Sequence, residues 1–262
     1  MDHAFEHPID SFTLPQVRQV PAGRALVWLQ RGWADLRRLG LTSLGHGIFV
    51  SGFGVVLLAL SWTAPYLVPA FAGGFLLVAP FAAIGVYALS QQIENGEPVS
   101  PPAAMFAWRR NANSIALFGL LLALALIFWE RVAAILFAMF YAGTAPDVNH
   151  LTREMLSSAD HWPLLVAFFG TGFLFAAAVF SLSVVTVPML LDKPVDVVTA
   201  ALTSLRCCTL NPGATLVWAA LIAGLCLLGF ATAMIGMVVV FPWLGHATWH
   251  AYQDLVGQVD ES

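Results

Sequence analysis

Charge is scarce in this sequence. Lysine and arginine together number 11 and aspartate and glutamate 15 in 262 residues, while 59% of the chain is hydrophobic and the mean hydropathy is +0.81. So little polar surface cannot coat a soluble globule, and the composition predicts an integral membrane protein. The lipid bilayer is the partner this composition demands. A net charge of −4 without a basic cluster gives no footing for nucleic acid. Cysteine is equally sparse: Cys207 and Cys208 are adjacent and Cys226 stands apart, which makes no disulfide framework and no CxxC metal site. Also missing are a P-loop, a nucleophile elbow, an HExxH helix, a GxGxxG turn and paired catalytic carboxylates, so no catalytic residue stands out. The opening MDHAFEHPIDSFTLPQVRQV lacks the apolar centre of a cleaved signal peptide.

What the sequence does hold is long apolar runs. A bilayer core needs about 20 apolar residues per helix, and six windows of that kind are found, at about 41–62, 66–90, 112–131, 162–191, 214–232 and 234–256. The last two come from one run too long for a single helix, divided near Thr232. The expected fold is an all-α polytopic bundle of six spans forming one domain over 21–256, with a flexible segment 1–20 before it and a short tail 257–262 after it. Nine of the Lys and Arg residues fall on one side of these spans, and only Arg131 and Arg153 on the other. The positive-inside rule then puts both termini in the cytoplasm.

An internal repeat is visible. Glu97-Pro98-Val99-Ser100 is followed by Ala104 and Arg110, and Lys193-Pro194-Val195-Asp196 by Ala200 and Arg206 at the same spacings. A third unit begins at Arg24, where Leu26, Leu29, Trp33 and Leu36 recur at helical spacing, with Arg24, Arg31, Asp35 and Arg38 elsewhere on the wheel. The expected plan is three units, each a cytoplasmic amphipathic helix followed by a transmembrane hairpin. Pro80, Pro188 and Pro242, each late in the second member of a hairpin, fit that plan. Successive two-span units share one orientation, which disfavours an inverted-repeat transporter.

WLQRGWADLRRLG (Trp28 to Gly40), the Gly-rich run after it and PWLGHATWHAY near the end resemble a family of uncharacterised bacterial integral membrane proteins, domain of unknown function 2189. The resemblance runs from about Val20 to Val256. It implies a bacterial inner-membrane location and a helical bundle, and it brings no activity and no catalytic residue.

Candidate chemistry therefore rests on ionisable residues at membrane depth. His246 and His250, four apart, share a helix face and invite a metal, a haem or a proton. His46 lies ~8 Å inside the first span, beside a small-residue face of Ser43, Gly47 and Ser51 that would admit another helix. Were that helix the last one, His46, His246 and His250 would make a three-histidine site. The plainer reading makes the histidines interfacial anchors among Trp243, Trp249 and Tyr252. Glu130 and Arg131, ~27 Å along from Ala112, read as a boundary marker rather than a buried acid on an ion path, and the segment after them as lying along the surface or extending an oblique helix. Cys207 and Cys208 read as structural, and the polar loop 143–161 (Asp147, His150, Glu154, Asp160, His161) as solvated. Two functions follow: a non-enzymatic accessory, scaffold or assembly factor bound to other membrane subunits, or a protein handling metal, haem or a small solute through His46, His246 and His250; a channel or carrier has less support, because no span shows a regular polar face.

Overall fold

The computed structural model describes residues 14–63, 79–140 and 162–256. The polar loop 143–161, the first half of the expected second span (66–78), residues 1–13 and the tail 257–262 lie outside them. Every regular element among the described residues is a helix: α1 (Arg24–Leu39), α2 (Leu41–Thr63), α3 (Ile84–Glu94), α4 (Pro101–Met105), a 3₁₀ turn (Ala107–Asn111), α5 (Ala112–Phe140), α6 (Trp162–Ser183), α7 (Thr186–Asp192), α8 (Val197–Leu210), α9 (Pro212–Ala231) and α10 (Met237–Leu255). An isolated antiparallel bridge, Val17 to Val256, ties the entering chain to the end of α10.

Four stretches among the described residues are long and apolar enough to cross a bilayer: Leu41–Leu60, Ala107–Met139, Trp162–Asp192 and Pro212–Ala231. Their surfaces carry exposed Phe49, Leu124, Phe169, Phe173 and Leu216, as lipid-facing helices require. The third expected span does not stop at Arg131. α5 runs on to Phe140 without a break, because nothing from Val132 onward interrupts helical propensity, so Glu130 and Arg131 sit within a helix ~44 Å long. The stretch from Trp162 breaks at Val184 and Val185, where the ring of Pro188 meets the carbonyl four residues back.

α10 differs in kind. Met237, Phe241, Leu244, His246, Trp249, Tyr252 and Leu255 are all buried, so the helix is enclosed nearly all round by protein. An enclosed helix can carry polar groups that lipid would penalise, and accordingly α10 is not among the four apolar spans. Its neighbours approach closely at small residues. A Cβ at Gly32 of α1 would come 2.5 Å from the Ala247 nitrogen, and one at Gly47 of α2 would strike the Val238 carbonyl oxygen. Pro242 explains the second contact. Having no N–H, it leaves the Val238 carbonyl without its helical donor, and Gly47 lets α2 rest its Cα against that oxygen. Ser51 Oγ donates to the Met234 carbonyl at 2.7 Å, and Ser43 Oγ meets the His246 ring, so Ser43, Gly47 and Ser51 together form the seam with α10.

α1 packs on α10 through Ala25, Trp28, Gly32, Asp35 and Leu36, rotated from the expected stripe of Leu26, Leu29, Trp33 and Leu36. Small residues let the backbones close together, so the seam follows Ala25 and Gly32 and leaves Leu26 51% exposed. The two motif copies play matching local roles. Ser100 caps α4 and Asp196 caps α8, each through its side chain, and Ala104 and Ala200 are both fully buried. Beyond this local match the copies diverge, into five helical residues in one case and fourteen in the other.

Candidate functional site

At the centre of the α1, α2, α3 and α10 packing lies a chain of polar side chains. Asp35 Oδ2 receives Ser90 Oγ–H at 2.8 Å and His250 Nε2 at 2.8 Å. Ser90 Oγ is also 2.7 Å from His246 Nδ1, and the opposite nitrogen of that ring, Nε2, meets Ser43 Oγ. A hydroxyl has one proton. Since Ser90 gives its proton to Asp35, its oxygen accepts from His246 Nδ1–H. The neutral ring then accepts at Nε2 from Ser43. Every proton points the same way, from Ser43 through His246 and Ser90 to the carboxylate. Ser43, Ser90, Asp35 and His246 are buried, while His250 is half-buried and connects the chain to the surface. Burial pushes the Asp35 carboxyl up, but hydrogen bonds from His250 and Ser90 and the nearby imidazoles of His250 and His246 outweigh it, holding the carboxyl below its ordinary 3.8.

The three histidines do not turn toward one point. Three residues on from Ser43, His46 leaves the α10 seam and faces α3, where a Cβ at Gly85 would lie 2.5 Å from its Nε2. Its Nδ1 meets the Thr42 carbonyl at 3.3 Å, and its Nε2 is buried without a hydrogen-bond partner. Both nitrogens of His246 are engaged by serines. Among the described residues, no group of three or more His, Cys, Asp or Glu side chains is placed to hold a metal ion. Glu130 and Arg131 lie on α5, remote in sequence and in helix from this cluster. Cys207 is buried in α8, and burial pushes its thiol up to about 12, far from a metal-binding thiolate.

Sequence reasoning missed Asp35 and Ser90. Asp35 was placed on the polar side of the α1 wheel, yet it is the one acid of α1 and follows Trp28 and Gly32 at helical spacing. Ser90 gave no signal of its own.

Further polar ties hold α10 in place. Asp254 takes a two-pronged ion pair from Arg24, with 2.5 Å to Nε and 3.1 Å to Nη2, and a hydrogen bond from Trp28 Nε1 at 2.7 Å. Tyr252 donates to Asp192 at 2.6 Å, Gln91 donates to the other Asp192 oxygen at 2.7 Å, and Trp249 donates to Glu94 at 2.8 Å.

Four apolar spans together with an enclosed polar helix are the architecture of a membrane-embedded bundle, and the sequence comparison agrees. Residues 67–192 match the model of the family described as predicted integral membrane protein (DUF2189). That stretch, just under half of the chain, is similar to this family. The DUF2189 segment lies between the two end motifs that carried the resemblance and includes neither. It supplies Ser90, Gln91, Glu94 and Asp192, whereas Asp35, Ser43, His246 and His250 come from the flanking chain, so the polar centre is assembled across the segment's borders. No curated protein and no solved structure matches the chain.

Proposed function

We propose that this membrane protein handles a small solute, with the Ser43, His246, Ser90, Asp35 and His250 chain passing a proton as the solute binds or leaves. The observation that carries the reading is the single direction of that chain, which begins at a sealed serine and ends on a carboxylate beside a half-buried histidine. Ionisable groups buried in protein are costly, and within membrane-embedded bundles they mark proton and solute paths. A resident metal or haem fits less well, because His246 would have to give up a serine to offer a lone pair. The family resemblance supports a bacterial inner-membrane location, the excess of Lys and Arg on one side supports cytoplasmic termini, and the enclosed α10 is compatible with a sixth crossing inside the bundle.

Protein purified from its native membrane in mild detergent tests this reading by native mass spectrometry with an optical spectrum and metal analysis. Wild type is expected to carry a small molecule that the His246→Ala, His250→Ala double variant loses while remaining helical. Wild type free of any ligand contradicts the reading, and a Soret band or stoichiometric metal replaces the solute by a cofactor.

A second reading, an accessory or assembly role beside other membrane subunits, is favoured by α8. There Val198, Leu202 and Leu205 are exposed on one face of a helix outside the four apolar spans. It predicts stable co-purification with other membrane proteins.

A further inference from the structure

A cavity of about 470 Å³ opens beside the start of α2 and sits within the size range of small-molecule sites. Phe49, Val50, Phe81, Ile84, Met105 and Trp108 make its walls apolar. Phe49 on the apolar span of α2 and Met105 on α4 are 72% and 65% exposed, so the lining carries apolar side chains out to the surface, as an opening toward lipid requires. Beside it Arg109 lies 5.6 Å from the Trp108 ring and 4.6 Å from that of Phe106, the mixture of cation and aromatic found where a bilayer meets water.

His46 is among the residues lining this cavity, and one of its ring nitrogens has an unmet need. His46 Nε2 is buried and has no hydrogen-bond partner, whereas buried nitrogens are nearly always paired. The other nitrogen fixes what is missing. Nδ1 can face the Thr42 carbonyl only as N–H, which leaves a lone pair on Nε2 of the neutral ring. The absent partner must therefore be a donor.

We infer that this cavity binds a bilayer-soluble alcohol or phenol, an apolar body with one hydroxyl that donates to His46 Nε2. The inference deepens the solute-handling reading by naming the ligand class and site, yet it stands on the cavity and His46, not on the Asp35 chain. Gly85 of α3 lies against that nitrogen, where any side chain would collide with it, so the hydroxyl reaches Nε2 as the His46 ring turns from Gly85 toward the cavity.

The test uses the full chain in lipid nanodiscs, titrated with 4-bromo-2-hexylphenol and with its methyl ether. Bromine quenches tryptophan fluorescence on contact, and Trp108 is in the wall. The phenol is expected to quench saturably, with Trp108→Phe removing the signal. The ether and the His46→Phe variant are each expected to weaken binding about tenfold, the effect of one buried hydrogen bond. Ala82→Phe, which fills the cavity from the opposite wall without touching the histidine, is expected to weaken both probes and guards against a His46 variant that fails to fold. Equal binding of phenol and ether, quenching that survives Trp108→Phe, or no saturable binding overturns the inference. Asp35→Asn separates the two readings: phenol binding that persists there while native ligand is kept in the His246, His250 double variant sinks the proton chain and leaves the cavity standing.

Discussion

Gly47→Ala is expected to destabilise the protein by about 3 kcal/mol, at the upper end of overpacking costs, although the same change in an exposed helix favours folding. The added methyl would run into the Val238 carbonyl of α10, a backbone atom that cannot rotate aside. Gly52, one and a half turns further along α2, has nothing within 4 Å of an added Cβ. Gly52→Ala is therefore expected to stabilise slightly, by roughly 0.5–1 kcal/mol, through helix propensity alone. Unfolding of the two variants in mixed micelles by increasing SDS checks the contrast. Equal midpoints would mean that α2 and α10 do not meet as described.

Asp35→Ala is expected to cost about 3 kcal/mol or more, because it leaves Ser90 and His250 donating to nothing inside the packing. Asp35→Asn keeps an acceptor and is expected to lose less. The carboxyl is held below its ordinary value in the folded protein, so its contribution is present in full above about 3.8 and disappears as pH falls through the lower folded value. The stability gap between wild type and Asp35→Asn should thus narrow as pH falls below about 3.8. A gap that widens below that pH would reverse the sign of the interaction.

How far the sequence could be read follows from periodicity. The Ser43, Gly47 and Ser51 face was legible because residues four apart share a side of a helix, and the structure brings α10 to it. The same spacing rule took His46 off that face: three residues from Ser43 and one from Gly47, its side chain turns toward α3 and the cavity. His246 and His250 do lie on one face of α10, but they meet α1 and α3 through Asp35 and Ser90 instead of one shared ion. Those two partners were hidden for different reasons. A lone aspartate in an arginine-rich amphipathic helix looks like solvated surface until a second helix is known to cover it, and a serine near the end of an apolar run carries no pattern. Pro242 was legible only as a proline late in the last hairpin, and the approach of Gly47 to the freed Val238 carbonyl reveals what it admits.

The direction of the buried chain is tested most directly by ¹⁵N NMR of histidine-labelled protein in bilayers at pH 7, with the His246 signals assigned by their loss in His246→Gln. The account predicts a neutral ring protonated at Nδ1, with Nε2 bare and accepting from Ser43. A ring protonated at Nε2, or an imidazolium, would contradict a chain that ends on Asp35.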